Sequence, residues 1–197
     1  MEKSGDEEAN DEDVAWMRLI ASGDEAAFRS LVEKHQHAVV GTIGKMTNFS
    51  ADSEDLAQEV FLRIWKYSGK YQPTAKFTTY LFTITRNLVF NYTKKKSLHK
   101  ENSLEEQQDD WHQQLADRGP KNQPDQSLEQ SELRALVDGA IAKLPEKQRL
   151  AVVLRRYEKM PYEEIASVLE LSVPAVKSQL FRARTALREL LAPYLED

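Results

Sequence analysis

The 197-residue chain contains no cysteine. Disulfide bonds and metal sites built from thiolates are therefore excluded, and this composition fits a reducing cytoplasm. No run of apolar residues approaches the roughly 18 that cross a membrane, and the acidic N-terminal stretch is unlike a signal peptide. We therefore expect a cytoplasmic protein that makes no contact with a membrane.

The sequence also lacks the patterns that mark catalytic sites. It contains no glycine-rich phosphate loop and no recognisable pairing of a nucleophile with a general base. His35 and His37 are two residues apart, which places them on different faces of a helix, and no carboxylate cluster accompanies them. We therefore expect no enzymatic activity, no metal site and no cofactor.

The charge is distributed unevenly along the chain. The formal net charge is −5, yet residues 1–13 hold seven acidic residues and one lysine, and residues 97–132 hold nine acidic and three basic residues. The rest of the chain is consequently basic. Two basic bodies joined and preceded by acidic segments can contact nucleic-acid phosphates while limiting indiscriminate binding.

Helical periodicity of the apolar residues predicts an all-α protein with two small domains. Residues 1–13 are acidic and poor in apolar side chains, which is typical of a disordered tail. We expect helical domains over residues 14–97 and 132–197, joined by a flexible acidic linker over residues 98–131. The first domain should include a helix over residues 77–96.

The stretch from Pro161 to Leu191 has the pattern of a helix-turn-helix. Ser172 is a favourable N-cap for the second helix, and Pro174 falls in its first turn, where the missing N–H is tolerated. Glu170 stands where such turns often carry glycine, at a position that calls for a positive φ angle.

One face of this second helix combines cations with an exposed aromatic residue. An exposed phenylalanine suits a thymine methyl group, and lysine or arginine suits guanine edges and phosphates. The residues on this face are Lys177, Ser178, Phe181, Arg182 and Arg184. A solvated basic face on a simple pair of helices is the alternative interpretation.

A second candidate surface lies on the amphipathic helix predicted over residues 55–67. Leu62 is an apolar residue among Asp55, Gln58 and Glu59 on the side opposite the apolar stripe. That pattern is typical of a partner-binding face, although a solvated face with one stray leucine would have the same periodicity.

The loop over residues 68–76 and the helix after it carry aromatic, amide and lysine side chains. Such a mixture suits single-stranded DNA, because aromatic rings stack on bases and lysines contact phosphates. Some of these aromatic rings could equally belong to the core.

Three passages together resemble the extracytoplasmic function (ECF) group of bacterial RNA polymerase sigma factors. They are DSEDLAQEVFLRIWK at residues 52–66, FTTYLFTITRN at residues 77–87, and the region from Leu144 to Arg184. The resemblance implies a protein that binds core RNA polymerase and promoter DNA and promotes transcription initiation. It also suggests an anti-sigma partner, although no residue of the sequence identifies one.

The resemblance implies roles for particular residues. Core RNA polymerase would be contacted by Asp55, Gln58, Glu59 and Leu62. The −10 promoter element would be contacted by Tyr71, Lys76, Tyr80, Arg86, Asn87, Asn91, Lys94 and Lys95. The −35 element would be contacted by Arg149, Arg155, Lys177, Ser178, Phe181, Arg182 and Arg184. Tyr80 stands where many members of the group have tryptophan.

Two other function classes remain open at this level. A helix-turn-helix regulator would bind duplex DNA without core polymerase, with the N-terminal half serving dimerisation or sensing. A helical adapter that binds only proteins would leave the basic faces unexplained.

Overall fold

The computed structural model describes residues 5–102 and 128–194. These residues form eight α-helices and two short 3-10 helices, and no β-strand occurs within those two ranges. The α-helices are α1 (Gly5–Ala21), α2 (Glu25–Thr47), α3 (Ser53–Tyr67), α4 (Phe77–Asn102), α5 (Leu128–Ala142), α6 (Glu146–Arg156), α7 (Tyr162–Leu169) and α8 (Val173–Leu191). The 3-10 helices are Ser68–Lys70 and Ala192–Tyr194. The predicted all-α class is confirmed.

Helices α1 to α4 form the N-terminal domain, with α2 in contact with each of the other three. Its core consists of fully buried apolar residues that recur at helical spacing, because each helix turns one apolar stripe inward. They include Met17, Leu31, Ile43, Ile64 and Leu81. This packing holds α3 and α4 side by side and leaves the outer face of α3 free.

The expected disordered tail over residues 1–13 is wrong from Gly5 onward, where α1 already begins. Asp13 is buried and accepts hydrogen bonds from Lys34 at 2.7 Å and from His35 at 3.0 Å. The side-chain oxygen of Asn10 accepts a bond from the backbone N–H of Phe77 at 2.8 Å. These contacts with α2 and α4 offset the entropy lost on ordering an otherwise polar segment.

The boundaries expected for the linker also need correction. Helix α4 continues to Asn102, past the predicted end at residue 96, because residues 97–102 contain neither glycine nor proline to stop it. Helix α5 begins at Leu128, before the expected domain start at residue 132. The remainder of the expected linker, residues 103–127, lies outside the described residues.

Helices α5 to α8 form the C-terminal domain around Leu150, Leu154, Ile165 and Val176, all of which are buried. Helices α7 and α8 are the predicted helix-turn-helix. Ser172 caps α8 as expected, with its hydroxyl accepting from the N–H of Ala175 at 3.3 Å.

Glu170 adopts the left-handed conformation at the turn between α7 and α8, with φ of 54° and ψ of 48°. Its backbone N–H bonds to carbonyl groups at the end of α7, and its side chain is largely exposed, with the carboxylate reaching Arg86 of α4 at 2.8 Å. The positive φ angle that usually favours glycine is therefore present with a carboxylate attached.

The two domains pack against each other. Helix α7 lies along α4, and α5 and α6 contact α2, so buried apolar residues from both domains form one continuous cluster. This contact decides which of the candidate surfaces are open.

Candidate nucleic-acid interface

The basic face of α8 is open to solvent along its whole length. Val176, Leu180 and Ala183 are buried as predicted, which turns the next residues of each turn outward. We define the α8 surface as Lys177, Ser178, Phe181, Arg182 and Arg184, all of them exposed. Phe181 is 68% exposed, which is unusual for a large apolar side chain and is typical of a binding surface. The structure thus brings these five predicted residues together around a shallow cleft.

Tyr162, the first residue of α7, also lines this cleft and was not among the predicted site residues. Its ring centroid lies 5.0 Å from the guanidinium carbon of Arg155 in α6 and 5.9 Å from the ammonium nitrogen of Lys177 in α8. The sequence pattern assigns Tyr162 to the apolar stripe of α7, so it does not predict these contacts with cations. Only the crossing of three helices brings both cations to one ring.

The two predicted arginines of α6 have different surroundings. Arg155 is exposed and donates a hydrogen bond to the carbonyl of Met160 at 2.9 Å. Arg149 is half-buried and donates to the carbonyl groups of Met46 at 2.8 Å, Leu144 at 3.0 Å, and Ala142. Desolvation by burial lowers the pKa of Arg149. The structure therefore keeps Arg149 away from the α8 surface and uses it to bind carbonyls at the ends of α2 and α5.

The outer side of α3 presents the four residues expected to meet a protein partner. We define the α3 surface as Asp55, Gln58, Glu59 and Leu62. Leu62 is 59% exposed, and Glu59 accepts an ion-pair hydrogen bond from Arg63 at 2.7 Å. The structure confirms that these residues share one accessible face, with an apolar residue surrounded by acids and an amide.

We define the α4 surface as the eight residues expected near the −10 element: Tyr71, Lys76, Tyr80, Arg86, Asn87, Asn91, Lys94 and Lys95. Tyr71 and Tyr80 pack on each other with ring centroids 5.0 Å apart, and both lie about 6 Å from Phe77. Desolvation by burial raises the pKa of both tyrosines. The two rings are thus partly core residues and only partly available for stacking.

The middle of the α4 surface is covered by the C-terminal domain. Arg86 is buried, and its guanidinium donates to Glu170 at 2.8 Å and to Asn87 at 3.1 Å. Lys76 forms an ion pair with Glu164 of α7 at 2.9 Å. The hydrogen bond to Arg86 is the main cause of the lowered pKa of the Glu170 carboxyl. The carboxylates of Glu164 and Glu170 thus pair with two cations that DNA phosphates would otherwise contact.

The later half of the α4 surface remains open. The side chains of Asn91, Lys94 and Lys95, which follow Arg86 along α4, are exposed. The eight predicted residues therefore fall into three groups. Lys76 and Arg86 are ion-paired with the C-terminal domain, and Tyr71 and Tyr80 are partly buried against the core. The exposed residues are Asn87, Asn91, Lys94 and Lys95.

Comparison with known proteins gives two family matches. The family described as Sigma-70 region 2 matches residues 31–98, and the family described as Sigma-70, region 4 matches residues 134–187. These ranges include most of α2 to α4 and most of α5 to α8, so the α3 and α4 surfaces lie in the first range and the α8 surface lies in the second.

Relatives match over nearly the whole chain. The RNA polymerase sigma-H factor of Pseudomonas aeruginosa is 30% identical, over 95% of this chain and 97% of its own. The ECF RNA polymerase sigma factor SigE of Mycolicibacterium smegmatis is 32% identical, over 96% of this chain and 72% of its own. The ECF RNA polymerase sigma-E factor of Escherichia coli K12 is 29% identical, over 93% of this chain and 96% of its own.

Two solved structures share the fold. CnrH in complex with the cytosolic domain of CnrY aligns with a TM-score of 0.67 at 24% identity, covering 92% of this chain and 98% of that one. The sigma factor RpoE of Bartonella quintana, in complex with the anti-sigma factor NepR, aligns with a TM-score of 0.66 at 20% identity, covering 86% and 98%.

These matches and the two helical domains define a promoter-recognition protein of the sigma-70 type. Specifically, the chain belongs to the ECF group of RNA polymerase sigma factors. It is an alternative sigma factor that acts in promoter recognition and transcription initiation, with core RNA polymerase and promoter DNA as partners. The family and function expected from the sequence are confirmed, as are core RNA polymerase and promoter DNA as partners. Within the part of the chain that the structure describes, no helix is long and apolar enough to traverse a bilayer.

Proposed function

We propose that the three surfaces divide the work of initiation among them. The α3 surface binds core RNA polymerase, the α4 surface binds the −10 element, and the α8 surface reads the −35 element. The observation that carries this proposal is the exposure of Phe181 and Leu62, each surrounded by polar groups that suit a different partner. The α8 surface around Phe181 suits DNA bases, and the α3 surface around Leu62 suits a groove on a protein.

The α8 surface supports base reading because Lys177, Ser178, Phe181 and Arg182 project from the N-terminal part of α8. The N-terminal half of the second helix is the part of a helix-turn-helix that enters the major groove. Lys177 and Arg182 can donate to guanine edges, and the ring of Phe181 can pack on a thymine methyl group. Arg155 and Arg184 lie at the margins of this face, where phosphates would pass.

The α4 surface supports binding of separated DNA strands. Asn91, Lys94 and Lys95 are available in the observed arrangement, and Tyr80 offers part of a ring for stacking. Capture of unpaired bases would offset the few kcal/mol that each unstacked base step costs. No covalent step is part of this mechanism, so we assign no enzymatic activity.

Full use of the α4 surface requires the domains to separate. Glu164 and Glu170 are ion-paired with Lys76 and Arg86 in the packed arrangement, so a phosphate group would have to compete with these carboxylates for the same cations. We therefore propose that the described arrangement is a closed state and that docking on core polymerase opens it. A protein that works on core polymerase would reside in the cytoplasm.

An anti-sigma protein is a further proposed partner. One protein of the same fold, the sigma factor RpoE of Bartonella quintana, is known in a complex with the anti-sigma factor NepR. A protein that binds the closed arrangement preferentially would stabilise it by mass action.

The direct test is transcription from linear genomic fragments by core polymerase supplemented with the purified chain. Sequencing the transcript ends should reveal starts preceded by two shared sequence elements, absent with core alone. Duplex binding without core, together with no new transcript starts, would favour a helix-turn-helix regulator and contradict the proposal.

A further inference from the structure

Tyr162 occupies a junction between three helices of the C-terminal domain. It is the first residue of α7, and its ring faces Arg155 from the last turn of α6 and Lys177 from the first turns of α8. The two cation-to-centroid distances, 5.0 Å and 5.9 Å, lie within the roughly 6 Å range over which a ring attracts a cation. One aromatic ring therefore contacts two cations that belong to different helices.

Within residues 5–102 and 128–194, neither cation has a carboxylate partner that could hold it in place. Among the described residues, neither Arg155 nor Lys177 forms an ion pair, whereas Lys76 and Arg86 do. Arg155 is held at its other side by the carbonyl of Met160. A carboxylate would neutralise the charge of these cations and so weaken their attraction to DNA. An aromatic ring orients them and leaves their charge and their N–H donors available.

We propose that Tyr162 is a positioning residue for −35 recognition, acting through Arg155 and Lys177. This inference rests on the proposed function of the α8 surface. The ring fixes the spacing between a phosphate contact from α6 and a base-edge contact from α8, and so sets the register of α8 in the groove. Long cationic side chains lose rotamer freedom on binding DNA, and a ring that restricts them beforehand reduces that loss.

The test uses the full chain bound to core polymerase and a library of duplexes randomised over the −35 region. Tyr162→Leu removes the ring and retains apolar bulk, while Tyr162→Phe retains the ring and serves as the matched control. We expect Tyr162→Leu to lower affinity for the library's preferred sequence about 3- to 10-fold, the effect of losing one or two cation–ring contacts. Tyr162→Phe should stay within twofold of wild type and enrich the same sequence.

A coupling measurement separates positioning from packing. In the Arg155→Met and Lys177→Met double variant, the further change Tyr162→Leu should have little effect, because the residues through which it acts are gone. An equal loss in both backgrounds would show that Tyr162 only supports the fold and would overturn the inference.

The wild-type result distinguishes this inference from the proposed function. Enrichment of one sequence by wild type and the same enrichment and affinity with Tyr162→Leu would overturn the role of Tyr162 alone. Failure of wild type to enrich any sequence in the presence of core would overturn the function of the α8 surface, and the inference with it.

Discussion

The guanidinium of Arg86, in the middle of α4, lies 2.8 Å from the carboxylate of Glu170, in the turn between α7 and α8. The two residues are 84 positions apart and belong to different domains. Arg86 is buried, whereas the Glu170 side chain is 74% exposed, so the contact is accessible from the Glu170 side. An exposed glutamate at a position that usually favours glycine therefore closes a surface that is expected to bind promoter DNA.

Replacing Glu170 with glutamine should favour separation of the domains, because an amide cannot neutralise the buried guanidinium. The chain has no cysteine, so Ala51→Cys and Glu189→Cys would allow spin labels on exposed sites of the two domains. We expect a longer and broader label-to-label distance with Glu170→Gln than with Glu163→Gln, an exposed glutamate of α7 without an ion pair in the described residues. Identical distributions for both variants would contradict the importance of the Arg86–Glu170 contact.

The Arg86–Glu170 ion pair should also make the distance between the two labels depend on pH at the acidic end. Arg86 lowers the pKa of Glu170 in the closed state, so the pair contributes stability above the ordinary pKa of glutamate, roughly 4.3. That contribution is lost as pH falls through the lowered pKa. The distance between the labels in the wild-type chain should therefore increase at acidic pH by more than it does in Glu170→Gln.

Glu158 should have the opposite effect to Glu170, because its pKa is raised and its charged form destabilises the fold. Desolvation by burial raises its pKa, only partly offset by the hydrogen bond from Thr42 and the charge of Lys45. A raised acid pKa destabilises the folded state at neutral pH, and the penalty disappears as the group is protonated. Glu158→Gln should increase the free energy of unfolding in urea at pH 7, by a few tenths to about 1 kcal/mol given partial exposure. The two proteins should converge toward pH 4, and a constant difference would contradict this explanation.

Charge reversal on the α3 surface should weaken binding to core polymerase. Asp55 and Glu59 are accessible, so Asp55→Lys with Glu59→Lys should leave the fold intact while replacing attraction by repulsion toward a basic partner surface. Co-purification with core and helix content by circular dichroism are the measurements. Glu25→Lys with Glu33→Lys makes the same charge change on α2, and an equal loss of binding there would show a nonspecific effect.

Arg182→Ala should relax discrimination at one base pair of the −35 element, with a loss of about 1 to 3 kcal/mol there. The matched control is Arg188→Ala, an exposed arginine of the same helix that does not line the cleft. Sequencing of duplexes selected by the holoenzyme provides the comparison. A uniform loss on all sequences would assign Arg182 to a phosphate instead.

Much of this protein is determined by the sequence itself. The apolar spacing defines the helices and the buried sides of α3 and α8, since a stripe every three to four residues has only one way to face a core. Local capping defines the start of α8, where Ser172 and Pro174 act within one turn. The α3 and α8 surfaces follow directly, because each lies on a single helix.

Tertiary structure decides what depends on groups far apart in the chain. The order of residues 5–13 depends on Asp13 and Asn10 meeting α2 and α4, the role of Arg149 depends on carbonyls of two other helices, and Tyr162 meets its cations only where three helices cross. Whether Arg86 faces DNA or Glu170 depends on how the two domains pack. Periodicity reports the environment of a residue within its own helix, and it holds no information about which distant charge will lie opposite.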